Sequence, residues 1–182
     1  MDRMPDFSRR RTLLAGASVA ALSSTLPRFT FAAEDALQTR PIPSSGERLP
    51  IIGIGTAVIF DFENDAAKFG ERREVLKTLA AGGVKLIDTA HSYGRAEDRL
   101  GELMADTGLR DKLFIATKYS SGAARDAATA SLQNSLRRLK TNRIDLMQAW
   151  NVGDANFDFG QLSEWKKEGL CRYVRSEEHT SE

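Results

Sequence analysis

Three side chains of complementary proton chemistry stand at the ends of short apolar runs: Asp88 after Leu86-Ile87, Tyr93 five residues on, and Lys118 after Ile115-Ala116-Thr117. A phenol ordinarily titrates near pH 10, and a neighbouring ammonium favours its phenolate form. A carboxylate beside that ammonium would hold it in place and keep it charged. Together the three make a tyrosine able to release a proton at moderate pH, as carbonyl reduction asks of a general acid. Each has a plainer reading, Asp88 with Lys118 as a structural salt bridge and Tyr93 as a packed loop aromatic.

These residues meet only if the elements carrying them are neighbours. Strand candidates are Ile51 to Ile54, Lys85 to Asp88, Leu113 to Thr117, Ile144 to Ala149 and Cys171 to Val174. Between them, apolar residues recur at helical spacing in three segments: Val75, Leu76 and Leu79; Ala96, Leu100, Leu103 and Met104; Ala128, Leu132, Leu136 and Leu139. Asp158 with Gln161 has the spacing of a capping box and opens a fourth helix through Leu162 and Trp165 to Gly169. Upstream, Ser44-Ser45-Gly46-Glu47 reads as the turn of a hairpin between Pro41-Ile42-Pro43 and Leu49 to Ile54.

Such alternation implies parallel strands, in either a doubly wound sheet or a (β/α)8 barrel. The nucleotide-binding glycine fingerprint that would favour the first is missing, because Gly53-Ile54-Gly55-Thr56 is followed by no third glycine at the required spacing. In a parallel barrel every strand delivers its C-terminal end to one rim, and neighbouring strands lie about 4.8 Å apart. Asp88, Tyr93, Lys118 and Trp150 all fall on that rim.

The 182 residues are 41% hydrophobic and 28% charged, the composition of a globular protein. Five Arg against two Asp in residues 1–32, and one Arg against three Glu in 175–182, leave the middle neutral at a formal net charge of +1. A neutral middle lacks the basic stripe that nucleic-acid binding requires. Cys171 is the only cysteine and His91 and His179 the only histidines, too few for a disulfide or a cysteine- or histidine-rich metal site.

Residues 1–33 have the order of a signal peptide: Ser8-Arg9-Arg10-Arg11, a modestly apolar run from Leu13 to Leu22, then Phe31-Ala32-Ala33. The run is too short to span a bilayer, so stable membrane insertion is not expected. Ser8-Arg9-Arg10 resembles a twin-arginine signal, although Thr12 stands where that signal usually has Phe. The expected partner is therefore the twin-arginine export machinery, and the expected location a bacterial periplasm. Residues 34–39 read as a linker.

Ile87-Asp88-Thr89-Ala90-His91-Ser92-Tyr93-Gly94-Arg95-Ala96-Glu97, with Leu100-Gly101, resembles the signature of the aldo-keto reductases. Phe114-Ile115-Ala116-Thr117-Lys118 is similar to their lysine strand, Ser131 to Leu139 with Ile144-Asp145-Leu146 to their third helix and fourth strand, and Leu49 to Thr56 to their opening hairpin. The resemblance covers residues 40–174 and implies a (β/α)8 barrel of which only about the first half is present. It implies Asp88, Tyr93 and Lys118 as catalytic residues, with Tyr93 the proton donor, and Gly55, Thr56 and Asp88 as cofactor contacts. The cofactor would be NADPH or NADH, and the substrate a small-molecule aldehyde or ketone. At Trp150 the family usually has a histidine that orients the carbonyl; an indole N–H donates one hydrogen bond but relays no proton.

The family's phosphate-gripping residues lie after Val174, so the chain is expected to end mid-barrel and to be inactive alone. Residues 175–182 have no apolar period and resemble the translation of a sequencing adapter. His91 reads as a polar loop residue, Trp165 as core, and Arg95, Glu97 and Arg99 as a solvated helix start. A non-catalytic barrel of the same fold is the rival to the enzyme reading.

Overall fold

The computed structural model describes residues 37–120, 122–150, 152 and 159–176. The leader, the last six residues and Asp158 of the proposed capping box lie outside these.

The hairpin forms as the turn residues require. β1 (Thr39–Pro41) pairs antiparallel with β2 (Arg48–Pro50) around Gly46, which takes φ +74. The apolar stretch Leu49 to Ile54, however, does not continue as one strand. It breaks at Ile51 and Ile52, which are half exposed, and β3 (Gly53–Gly55) begins a different sheet.

That second sheet holds β3, β4 (Leu86–Asp88), β5 (Phe114–Ser120), β6 (Ile144–Trp150) and β7 (Cys171–Ser176), all parallel and in sequence order. Helices α1 (Ala66–Ala81), α2 (Ala96–Thr107), α3 (Arg125–Arg138) and α4 (Gly160–Lys167) alternate with the strands. The sheet is a five-stranded arc of a (β/α)8 barrel. None of the described helices is long and apolar enough to cross a membrane.

Local chemistry sets the helix ends. Asp65 caps α1, its Oδ1 accepting from the amides of Ala67 and Lys68 at 3.0 Å each. Glycine at φ +65 closes α2 at Gly108, the left-handed residue that side chains avoid. At α4 the side chain of Gln161 ties two helices together. Its amide nitrogen donates to Arg125 O at 2.7 Å and Thr129 Oγ1 at 3.1 Å, fastening α4 to α3.

Alternation along the strands gives the sheet two faces. Ile87, Ile115 and Met147, all fully buried, face the helices and pack with Leu100, Leu103, Leu132 and Leu136. Trp165 is core, as its spacing suggests, and meets Tyr119 edge-on at 5.1 Å. Helix α2 approaches α3 unusually closely at Gly101, where a Cβ would lie 2.1 Å from the carbonyl oxygen of Arg138. The opposite face carries two pairing rows: Gly55, Asp88, Ala116, Leu146 and Tyr173, then Lys118, Gln148 and Arg175.

The end of the sheet away from those rows is closed by charge. Asp145, almost fully buried, accepts from the Ile115 amide at 2.9 Å and pairs with Arg110 at 3.1 Å and Arg172 at 3.0 Å. Arg172 and the Tyr173 hydroxyl reach Glu47, and Tyr173 also meets Ser45, so the hairpin is tied beneath the sheet.

Candidate active site

Lys118 enters this site because β5 pairs with β4, which puts it one pleat above Asp88 on the same face. Its ammonium donates to both carboxylate oxygens of Asp88, to Oδ2 at 2.7 Å, and to the carbonyl oxygen of Thr89 at 3.1 Å. An ammonium has three hydrogens, and here each finds an oxygen. That matters because Lys118 is 7% exposed, and a buried charge is tolerated only when paired and hydrogen-bonded.

Tyr93 comes from the loop between β4 and α2. Its amide donates to Ala90 O at 3.1 Å, and its carbonyl accepts from the Ala96 amide at 2.9 Å, so a turn leads directly into the helix. The ring is half buried against the core, with the Lys118 ammonium 5.2 Å from its centroid. This is cation–π range. The hydroxyl bonds to no described residue. Acid, amine and phenol are thus brought together, the first two in direct contact and the third with its O–H available. His91 lies in the same loop, and its Nδ1 donates to Lys118 O at 2.8 Å.

Trp150 is the last residue of β6, half buried, opposite Ser120. It stands one pleat above Gln148, the pairing neighbour of Lys118. The Nε2 of Gln148 is buried without a hydrogen-bond partner, as are the hydroxyls of Thr56 and Thr89. Unsatisfied buried polar atoms are costly and rare, so three around one rim fit a polar ligand. Thr56 donates its amide to Asp88 O at 3.0 Å, and Thr89 follows Asp88 directly. Thr56, Thr89 and Asp88 therefore suit the polar parts of a nucleotide cofactor, and Gly55 beside them leaves open space where a side chain would stand. Gln148 and Thr89 escaped the sequence reading; the one available signal was an amide inside the apolar run Met147-Gln148-Ala149.

The expected solvated start of α2 needs correcting. Arg95 is exposed and pairs with Glu63, but Glu97 is fully buried and Arg99 nearly so. Glu97 faces β5, where Thr117 Oγ1 donates to it at 2.7 Å and Arg138 pairs with it at 3.3 Å. Arg99 covers the Phe62 ring at 5.4 Å and bonds to Phe62 O, Asn64 and Glu102. Partners from other elements offset the burial of both charges, with Glu102 one turn on completing the set around Arg99.

Residues 51–179 match the model of the aldo/keto reductase family. The chain belongs to that family. Among curated relatives, this aldo/keto reductase chain is 40% identical over 112 residues to NADPH-dependent codeinone reductase 1-3 of Papaver somniferum, covering 57% of this chain and 32% of the relative. It is 38% identical over 117 residues to a methylglyoxal reductase of Escherichia coli, 60% of this chain and 38% of that one. Among solved structures it is similar to an aldo-keto reductase from Klebsiella pneumoniae in complex with NADPH, with 28% identity and a TM-score of 0.63 over 74% of this chain and 48% of the other. A Bombyx mori aldo-keto reductase in complex with NADP aligns with 26% identity and a TM-score of 0.59, over 77% and 50%. The chain thus spans about a third of the length of the curated relatives first matched and about half of these structures.

Proposed function

We propose that the full-length protein reduces the carbonyl group of small aldehydes or ketones to an alcohol, with NADPH as the cofactor. The observation that carries this reading is Lys118 held by Asp88 and Thr89 against the ring of Tyr93. NADPH, when bound, supplies the hydride that adds to the carbonyl carbon. Tyr93 gives its hydroxyl proton to the carbonyl oxygen as charge develops there. Lys118 stabilises the phenolate left behind, which then regains a proton from solvent. Asp88 holds the ammonium in that position and, with Gly55, Thr56 and Thr89, lines the rim where the cofactor would bind. Trp150 donates one hydrogen bond from its indole where the family usually has histidine, and covers the site with apolar surface.

Relatives named for codeinone and methylglyoxal reduction support the substrate class. The leader's Ser8-Arg9-Arg10 supports export by the twin-arginine route to a periplasm, loaded and folded. Trp150 favours one competing reading, a non-catalytic binding protein on the same barrel. NADPH consumption separates the two: the full-length protein given methylglyoxal and simple aldehydes should oxidise NADPH, and binding without turnover across that panel would leave the non-catalytic reading.

A further inference from the structure

The side chain of Arg138, the last residue of α3, does not point to solvent. It crosses to the loop that carries Tyr93, where Nη1 donates to His91 O at 3.2 Å and Nη2 donates to Gly94 O. These carbonyls stand two residues before Tyr93 and one after it, so the guanidinium brackets the phenol's backbone. The same guanidinium is fixed from behind by Asp98, from Nε at 3.0 Å, and by Glu97 at 3.3 Å. Glu97 is fully buried and also accepts from Thr117, the residue before Lys118. A continuous polar chain therefore joins the strand bearing Lys118 to the loop bearing Tyr93. The loop is pinned from its other side as well. Asp61 Oδ1 accepts from the Arg95 amide at 3.0 Å, and a Cβ on Gly94, at φ +54, would fall 2.4 Å from that oxygen.

We infer that Arg138 is a positioning residue that fixes Tyr93 against Lys118. This rests on the carbonyl-reductase reading, in which the separation of those two groups decides proton transfer. A planar guanidinium offers several hydrogens in a rigid fork, and two carbonyls and the Asp98 carboxylate take them here while Glu97 faces it as an ion pair. Lysine would keep the charge that Glu97 needs but, as a point donor on a flexible stem, cannot bracket both carbonyls.

The test compares Arg138→Lys and Arg138→Met with wild type in the full-length protein. Arg138→Lys should melt close to wild type and bind NADPH equally well by fluorescence titration. Its kcat should fall roughly 10- to 100-fold with little change in KM for NADPH, the cost of a small misplacement of a catalytic group. The amides of Tyr93 and Ala96 should exchange hydrogen roughly fivefold faster, as expected on weakening one hydrogen bond. Exchange needs no turnover, so it tests the clamp even if wild type consumes no NADPH, an outcome that would sink the functional reading instead. Wild-type kcat and wild-type exchange in Arg138→Lys would overturn the inference. So would a variant pair whose kcat loss simply follows lost melting temperature, with Arg138→Lys fully restored.

Discussion

The ammonium of Lys118 is shared between two partners of opposite character: it donates to Asp88 Oδ2 at 2.7 Å and lies 5.2 Å from the ring centroid of Tyr93. Removing either neighbour therefore does different damage. Loss of Asp88 leaves a buried cation unpaired, whereas loss of the Tyr93 hydroxyl leaves the fold untouched, since that oxygen bonds to no described residue.

Tyr93→Phe in the full-length protein should reduce kcat for aldehydes by roughly 10²- to 10⁴-fold while NADPH affinity stays near wild type. Steady-state kinetics with a cofactor titration read both, and a loss smaller than tenfold would remove Tyr93 from the proton-donor role. Lys118→Met should lower kcat in the same direction, with lower stability as well because Asp88 loses its partner.

Trp150→His should raise carbonyl turnover if indole is a poor replacement in an otherwise active site. Turnover measured on small and bulky carbonyls gives the answer. Unchanged or lower rates would mean a pocket adapted to indole.

Gly101→Ala should destabilise the protein. The added carbon would sit 2.1 Å from Arg138 O and 2.9 Å from Leu139 backbone atoms, and backbone cannot rotate aside. Overpacking of this kind costs about 1–3 kcal/mol, readable as a lower urea midpoint. A midpoint equal to wild type would mean that α2 and α3 lie farther apart than described.

The Cys171 thiol, 2% exposed, is pushed up to about 11 from an ordinary 9.0, chiefly by burial, with Lys166 opposing. The folded thiol thus holds its proton where the unfolded one has lost it, so this group's contribution to stability declines as pH rises between those values. Alkylation at neutral pH should be slow in the folded protein and fast in denaturant. Equal rates would place Cys171 at the surface.

A fusion of residues 1–33 to a folded reporter should leave the cytoplasm of a host with twin-arginine export, and replacing Arg9 and Arg10 by Lys should block it. Export of the lysine version by fractionation would contradict the twin-arginine assignment.

Strand positions were readable because apolar runs such as Ile144 to Ala149 are too short for helices and sit between periodic segments. Asp88 and Lys118 were readable as neighbours for the same reason, since consecutive parallel strands bring their ends together. What sequence pattern could not supply was any pairing that depends on helices meeting. Glu97 looks like surface because charge at a helix start usually is. Its burial is made tolerable by Thr117, which donates to it, and by Arg138, about forty residues on, which supplies the opposite charge. The break at Ile51 and Ile52 was hidden for another reason, because apolar content marks strand tendency but not where a chain leaves one sheet for another.

The tie between Glu47 and Arg172 spans 125 residues of chain. Strands β4 to β7 each pair with the strand made just before them, so the sheet can grow in the order of synthesis. The hairpin cannot settle until β7 has emerged, although it is the first described element to leave the ribosome. Its docking closes the longest loop in the fold and belongs at the slow, late end of folding.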